Sequence, residues 1–127
     1  YNVSRLAQAA GVAALDDLAW AEAHWAAIRQ RREAFAAALR GQLGLHVYPS
    51  QANFVLVDTA PWDAAALQAA LEARRILVRR FTDDARIANA LRISIGSQAE
   101  VQAVTDALRA EVAALGHVDP SAARSRA

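Results

Sequence analysis

The chain has 127 residues, 55% of them apolar and 21% charged, with a net charge of +1. That is the length and balance of one folded domain, too apolar for disorder, with no apolar run near the ~18 residues of a membrane span. Cys is absent and all 14 basic residues are Arg, which excludes disulfides, thiolate chemistry, cysteine-held metals and any Schiff base on a side-chain amine. The near-zero net charge supplies no whole-molecule field for nucleic acid. Neither nucleic acid nor a membrane is expected as a partner. No secretory signal opens the chain, and the cytoplasm is the expected location. The chain lacks Met and opens at Tyr1, so its translation start is expected to lie elsewhere.

Asn2-Val3-Ser4 can cap a first helix running to about Leu15, with Val3, Leu6 and Ala10 on one face. Asp16-Asp17 starts a second, long helix to Leu39, in which Trp25, Ile28, Phe35 and Leu39 recur at helical spacing. Gly41 and Gly44 are expected to end it. Leu45 to Tyr48 is a short strand stopped by Pro49. Asn53 to Val57 is a stronger strand, apolar enough to be covered on both faces. Pro61 and Asp63 open an Ala-rich helix to about Arg74, with Leu67 and Leu71 inward. Ile76-Leu77-Val78 reads as a buried strand and Thr82 to Asn89 as a loop. Leu91, Ile93 and Ile95 alternate with Arg92, Ser94 and Gly96, a strand with one wet face. Ser97 and Glu100 form a capping box before a last helix whose core face carries Val101, Val104, Leu108, Val112 and Leu115. The stretch from Gly116 to Ala127 reads as a polar, frayed tail. The order α-α-β-β-α-β-β-α implies an α+β domain over residues 1–115: a small, mainly antiparallel sheet covered by helices and preceded by a long helix.

Arg92 is the first candidate site residue. Its place between Leu91 and Ile93 turns it away from the core, and a guanidinium fixed on a strand can grip a carboxylate or phosphate through two parallel hydrogen bonds. Spacing alone favours a surface Arg in a salt bridge. Arg74-Arg75 and Arg79-Arg80 flank Ile76-Leu77-Val78 and could hold an anion or simply be solvated strand ends. His24, His46 and His117 lack metal-ligand spacing, so no metal is expected. Ser50 and Ser94 sit in no nucleophile-elbow context. Asn53, polar within an apolar strand, is expected to bond backbone or a neighbouring loop.

Four segments in order carry a resemblance. They are Tyr1-Asn2-Val3-Ser4; Pro49-Ser50-Gln51-Ala52-Asn53-Phe54-Val55-Leu56-Val57; Ile76-Leu77-Val78-Arg79-Arg80-Phe81; and Leu91-Arg92-Ile93-Ser94-Ile95-Gly96 followed by Glu100. Together they resemble the C-terminal small domain of fold-type-I, pyridoxal-phosphate-dependent aminotransferases, nearest to the histidinol-phosphate branch. Arg75 departs from the pattern, standing where that family usually has Gly.

The resemblance implies roles. Arg92 would grip the substrate carboxylate and Arg79 would lie near its anionic end, the phosphate in the histidinol-phosphate branch. Tyr1 would edge the pocket, while Asn53 and Phe54 would shape the small domain beside it. The implied parent reaction is transamination between histidinol phosphate and 2-oxoglutarate, giving imidazole-acetol phosphate and glutamate. Pyridoxal phosphate would serve as electron sink and a lysine would move the Cα proton. That lysine belongs to the family's large domain, and this chain has none. The chain alone is therefore expected to hold no catalytic residue, bind no cofactor and be inactive. Its expected partners are its own large domain, a homodimer in the parent, and other copies of itself through Trp20, Trp25 and Ile28. A freestanding α+β interaction module, a threonine-phosphate decarboxylase and an aromatic aminotransferase remain alternatives.

Overall fold

The computed structural model describes residues 2–116. Tyr1 and residues 117–127, with the pocket-edge tyrosine and most of the expected tail, lie outside the described residues. Helix α1 (Arg5–Asp16) starts where the Ser4 hydroxyl accepts the Ala7 amide at 3.2 Å. It buries no side chain, and Leu6 is 80% exposed. A break at Asp17 separates it from α2 (Leu18–Leu43). The second half of α2 is buried in the core through Arg32, Phe35, Ala36, Leu39 and Leu43, and Ile28, expected on a face without a partner, is half-buried against that core. The helix runs past Gly41, contrary to the sequence reading. A helical Gly costs only ~1 kcal/mol, and burying Leu43 outweighs that. Gly44, at φ 67, ends it, with its amide on the Arg40 carbonyl.

Strands β1 (His46–Val47), β2 (Phe54–Asp58), β3 (Arg79–Arg80) and β4 (Ala90–Ser94) form one antiparallel sheet in the order β1-β2-β4-β3. Helix α3 (Ala64–Ala73) and α4 (Gln98–Ala114) join α2 on one face. Val47, Val55, Val57, Leu91 and Ile93 point to that face and meet Phe35, Leu39, Leu67, Leu71, Val104 and Leu108 in a single core. This is the α+β architecture expected. The double cover expected for β2 is absent among the described residues: Val55 and Val57 are buried, while Phe54, Leu56 and Asp58 are half-buried on an open face. An apolar run suits a strand buried on both sides, but here all three packed helices lie on the same side.

The segment Ile76-Leu77-Val78 is not a buried strand. Helix α3 ends in a Schellman motif, with the Arg75 amide on the Glu72 carbonyl and the Ile76 amide on the Leu71 carbonyl. Ile76 therefore spends its amide on the helix end rather than on the sheet. Ile76 and Val78 pack against the core, whereas Leu77 is 82% exposed, and the ladder begins only at Arg79. The core face of α4 is also shorter than its periodicity implies. Val101, Val104, Thr105, Ala107 and Leu108 are buried, but Val112 is half-buried and Leu115 exposed, because the helix outruns the sheet it covers.

The connection from β2 to α3 is tied by a small polar knot. The buried Thr59 hydroxyl bonds the Asn89 and Trp62 carbonyls, the Asn89 side-chain amide bonds the Trp62 carbonyl, and the Asn89 Oδ1 accepts the Ala64 amide. These bonds fix where α3 begins and where the chain enters β4, the strand that carries Arg92.

Candidate anion-binding face

The open face of the sheet gathers the arginines. In the register, Arg92 sits between Leu56 on β2 and Arg79 on β3, so all three side chains rise on the same side. Phe54 pairs with Ser94 one pleat further along. Directly opposed residues have Cβ atoms ~4.5–5.5 Å apart, and like charges in that position repel. Neither the Arg79 nor the Arg92 side chain has an ion pair or hydrogen bond among the described residues. Asp58, on the same face, turns its Oδ1 to the Ala60 amide instead. The register sets the two backbone positions opposite each other, while the guanidiniums lean toward opposite ends of the face, Arg92 toward Phe54 and Arg79 toward Phe81; each is a candidate donor for an anion.

Each guanidinium is backed by an aromatic ring. The Arg92 Cζ lies 5.3 Å from the Phe54 centroid, and the Arg79 Cζ lies 5.1 Å from that of Phe81. A cation over a ring face is attracted by its quadrupole, by roughly 0.5–1 kcal/mol at exposed sites. The rings limit how far the two side chains can swing. His46 and Tyr48 meet edge to face on the β1 side of the same sheet face.

The sequence reading turned Arg92 to a wet face; the register sets Arg79 opposite it and Phe54 on the same face. Asn53 does not join them. It stands exposed just before β2, and its carbonyl accepts the Ile95 amide at 2.8 Å, which extends the β2–β4 ladder. Sequence reasoning passed over Phe81, although its two-residue offset from Arg79 was a usable signal. It weighed Ser50 only as a nucleophile, whereas its hydroxyl donates to the Phe54 carbonyl at 2.6 Å and accepts the Ala52 amide at 3.2 Å, stapling the loop ahead of β2. Arg32 was missed as well, despite falling on the apolar spacing of Ile28, Phe35 and Leu39. No group of His, Asp and Glu able to hold a metal occurs among the described residues. None of the described helices is long and apolar enough to cross a membrane.

Comparisons with known proteins identify the family and the fold. A family model, Aminotransferase class I and II, matches residues 1–108. Histidinol-phosphate aminotransferase of Citrifermentans bemidjiense is 44% identical over 109 residues, 86% of this chain and 31% of that protein. Its counterpart in Rhodospirillum centenum is 48% identical over 110 residues, 85% of this chain and 30% of that protein. The crystal structure of histidinol-phosphate aminotransferase from Sinorhizobium meliloti, in complex with pyridoxal-5'-phosphate, superposes with a TM-score of 0.77 at 28% identity, over 91% of this chain and 32% of that one. The chain thus spans about a third of the length of the relatives it matches. The chain belongs to the class I and II aminotransferase family.

Proposed function

We propose that this chain is the substrate-gripping, C-terminal part of a histidinol-phosphate aminotransferase. In this reading the parent exchanges the amino group of histidinol phosphate with 2-oxoglutarate, and it works in the cytoplasm. The in-register pair Arg79–Arg92, on the face no described helix covers and with neither side chain in an ion pair among the described residues, carries the reading. Arg92 forks onto the carboxylate of the amino-acid substrate. Arg79, one strand away, takes the more distal anionic group, the phosphate of histidinol phosphate. Phe54 holds the Arg92 guanidinium in plane and Asn53 supports the strand end.

The donor set of this chain does not fit pyridoxal phosphate as a resident group. The family's cofactor needs a lysine amine, and every basic residue here is Arg. The cofactor seat and the proton-moving lysine therefore belong to the remaining two-thirds of the parent, and the chain alone is inactive. The exposed Trp20 and Trp25 mark where that larger domain covers α2. Without it, the same face pairs with other copies of the chain. The parent acts as a homodimer.

Kinetics of the parent test the reading. Arg92→Ala should raise the KM of the amino donor and lower kcat/KM by an amount equivalent to ~2–4 kcal/mol, since a charge-assisted two-point contact is lost. Arg92→Lys should recover only part, because an ammonium lacks the planar fork. A kcat/KM that stays within a factor of about two for every amino donor tried would make Arg92 an ordinary structural arginine.

A further inference from the structure

We propose that Arg31 and Arg32 of α2 are positioning residues, a two-armed clip that fixes the end of the β2–β4 ladder on which Phe54 and Arg92 are set. The inference rests on the reading of Arg92 as the anion ligand. Because β2 and β4 are antiparallel, the start of β2 and the end of β4 lie together, with Phe54 opposite Ser94. The long helix grips both strand ends there. Arg32 Nη1 donates to the Ala52 carbonyl at 3.0 Å, and Arg31 Nη1 donates to the Gly96 carbonyl at 2.5 Å. Between those carbonyls, the Asn53 carbonyl takes the Ile95 amide and Ser50 staples Ala52 to Phe54. The Phe54 ring then backs the Arg92 guanidinium.

The chemistry of Arg32 favours a positioning role over one in stability. It is 5% exposed, yet its carboxylate partner Glu33 stands in solvent and is met through Nε and Nη2 at 3.1 and 2.8 Å. Desolvating a guanidinium against a solvated partner yields little net stability, and an apolar residue at this spacing on α2 would pack the core without that cost. The guanidinium achieves what an apolar residue cannot: one edge is oriented by Glu33 while the other holds a loop carbonyl in place. Arg31 is oriented in the same way, with Nε on the Ala27 carbonyl of its own helix at 3.1 Å. Two consecutive residues of one helix therefore set the height of two adjacent strand ends, and a shift in either would move Phe54 relative to Arg92.

The test uses the whole 127-residue chain with labelled arginine side chains. Inorganic phosphate is titrated while the Arg92 Nε–H signal is followed by NMR, and the ring-current shift of Phe54 on the Arg92 side-chain protons is read without ligand. Arg31→Gln and Arg32→Gln should each weaken phosphate binding about fivefold and diminish the ring-current shift. Arg32→Lys should recover part of both. Arg31, being partly exposed, decides the matter if Arg32→Gln fails to fold, and its thermal midpoint should stay near that of the parent chain. Phosphate binding within a factor of about two and an unchanged ring-current shift in the folded variants would overturn the clip. Arg92→Ala, followed through the Arg79 Nε–H signal, judges the underlying reading separately. If it leaves phosphate binding intact, the anion assignment falls and the clip with it. If it abolishes binding while the α2 variants change nothing, only the clip falls.

Discussion

Arg75 occupies the left-handed C′ position of the Schellman motif that closes α3, at φ 62. It is also the position at which the resemblance read from the sequence expects Gly. An L-residue held in this region costs ~1–2 kcal/mol, because its Cβ crowds the following carbonyl. Gly removes that cost but returns ~0.5–1 kcal/mol through the greater freedom of the unfolded chain. The Arg75 side chain has no hydrogen bond or ion pair among the described residues that would be lost. Arg75→Gly should therefore stabilise the chain by about 0.5–1 kcal/mol. With a urea slope near ~2 kcal/mol/M, the unfolding midpoint rises by about 0.3–0.5 M and the slope stays constant. Arg75→Ala, which keeps the Cβ and the strain, should leave the midpoint nearly unchanged. Equilibrium urea unfolding followed by tryptophan fluorescence and far-UV circular dichroism decides between them. A Gly variant no more stable than the Ala variant would refute the strain argument, and a lower midpoint would show that the arginine side chain stabilises the motif directly.

Three further outcomes are expected. Leu91→Ala should cost ~2–5 kcal/mol in the core, while Leu77→Ala, at a position the sequence alone would bury, should stay within about 0.5 kcal/mol; urea midpoints measure both. The Ser97 amide, donating to Glu100 Oε2 at 2.7 Å, holds the Glu100 carboxyl below the usual carboxylate range. Its share of α4 stability is therefore complete above that range and is lost as pH falls through the lowered value. The Glu100 carboxyl carbon shift, followed by NMR, should titrate below an unpaired glutamate, and a midpoint at or above the ordinary value would remove the capping box from the account. The chain should self-associate through Trp20 and Trp25, which are 63% and 51% exposed; a monomer by sedimentation at high concentration that binds no ANS would count against this.

Much of this was legible in residue order. The helix starts at Ser4, Asp63 and Ser97 follow from side-chain oxygens that can reach back to free amides. The orientation of Arg92 follows from the period-two alternation with Leu91 and Ile93. The lack of lysine fixes, without any coordinates, that no side chain here can hold an aldehyde as an imine. These are local properties, set by a few neighbouring residues and by covalent chemistry.

The remaining features depend on which surfaces meet. Strand β2 is apolar on both sides, yet nothing local tells that three helices stack on one of them and leave Phe54 and Leu56 half-buried. Ile76-Leu77-Val78 reads as a strand by composition, but its first amide caps α3, and that competition is decided only once the helix end is in place. Arg32 reads as one more charge on a long helix until the fold buries it against the loop before β2. The pairing of Arg79 with Arg92 depends on strand order and register, a contact between residues far apart in sequence. The sequence by itself determined which groups could bind an anion. Only the tertiary structure put two of them on one face, because register between distant strands is set by the packing of the opposite face, and no local pattern carries it.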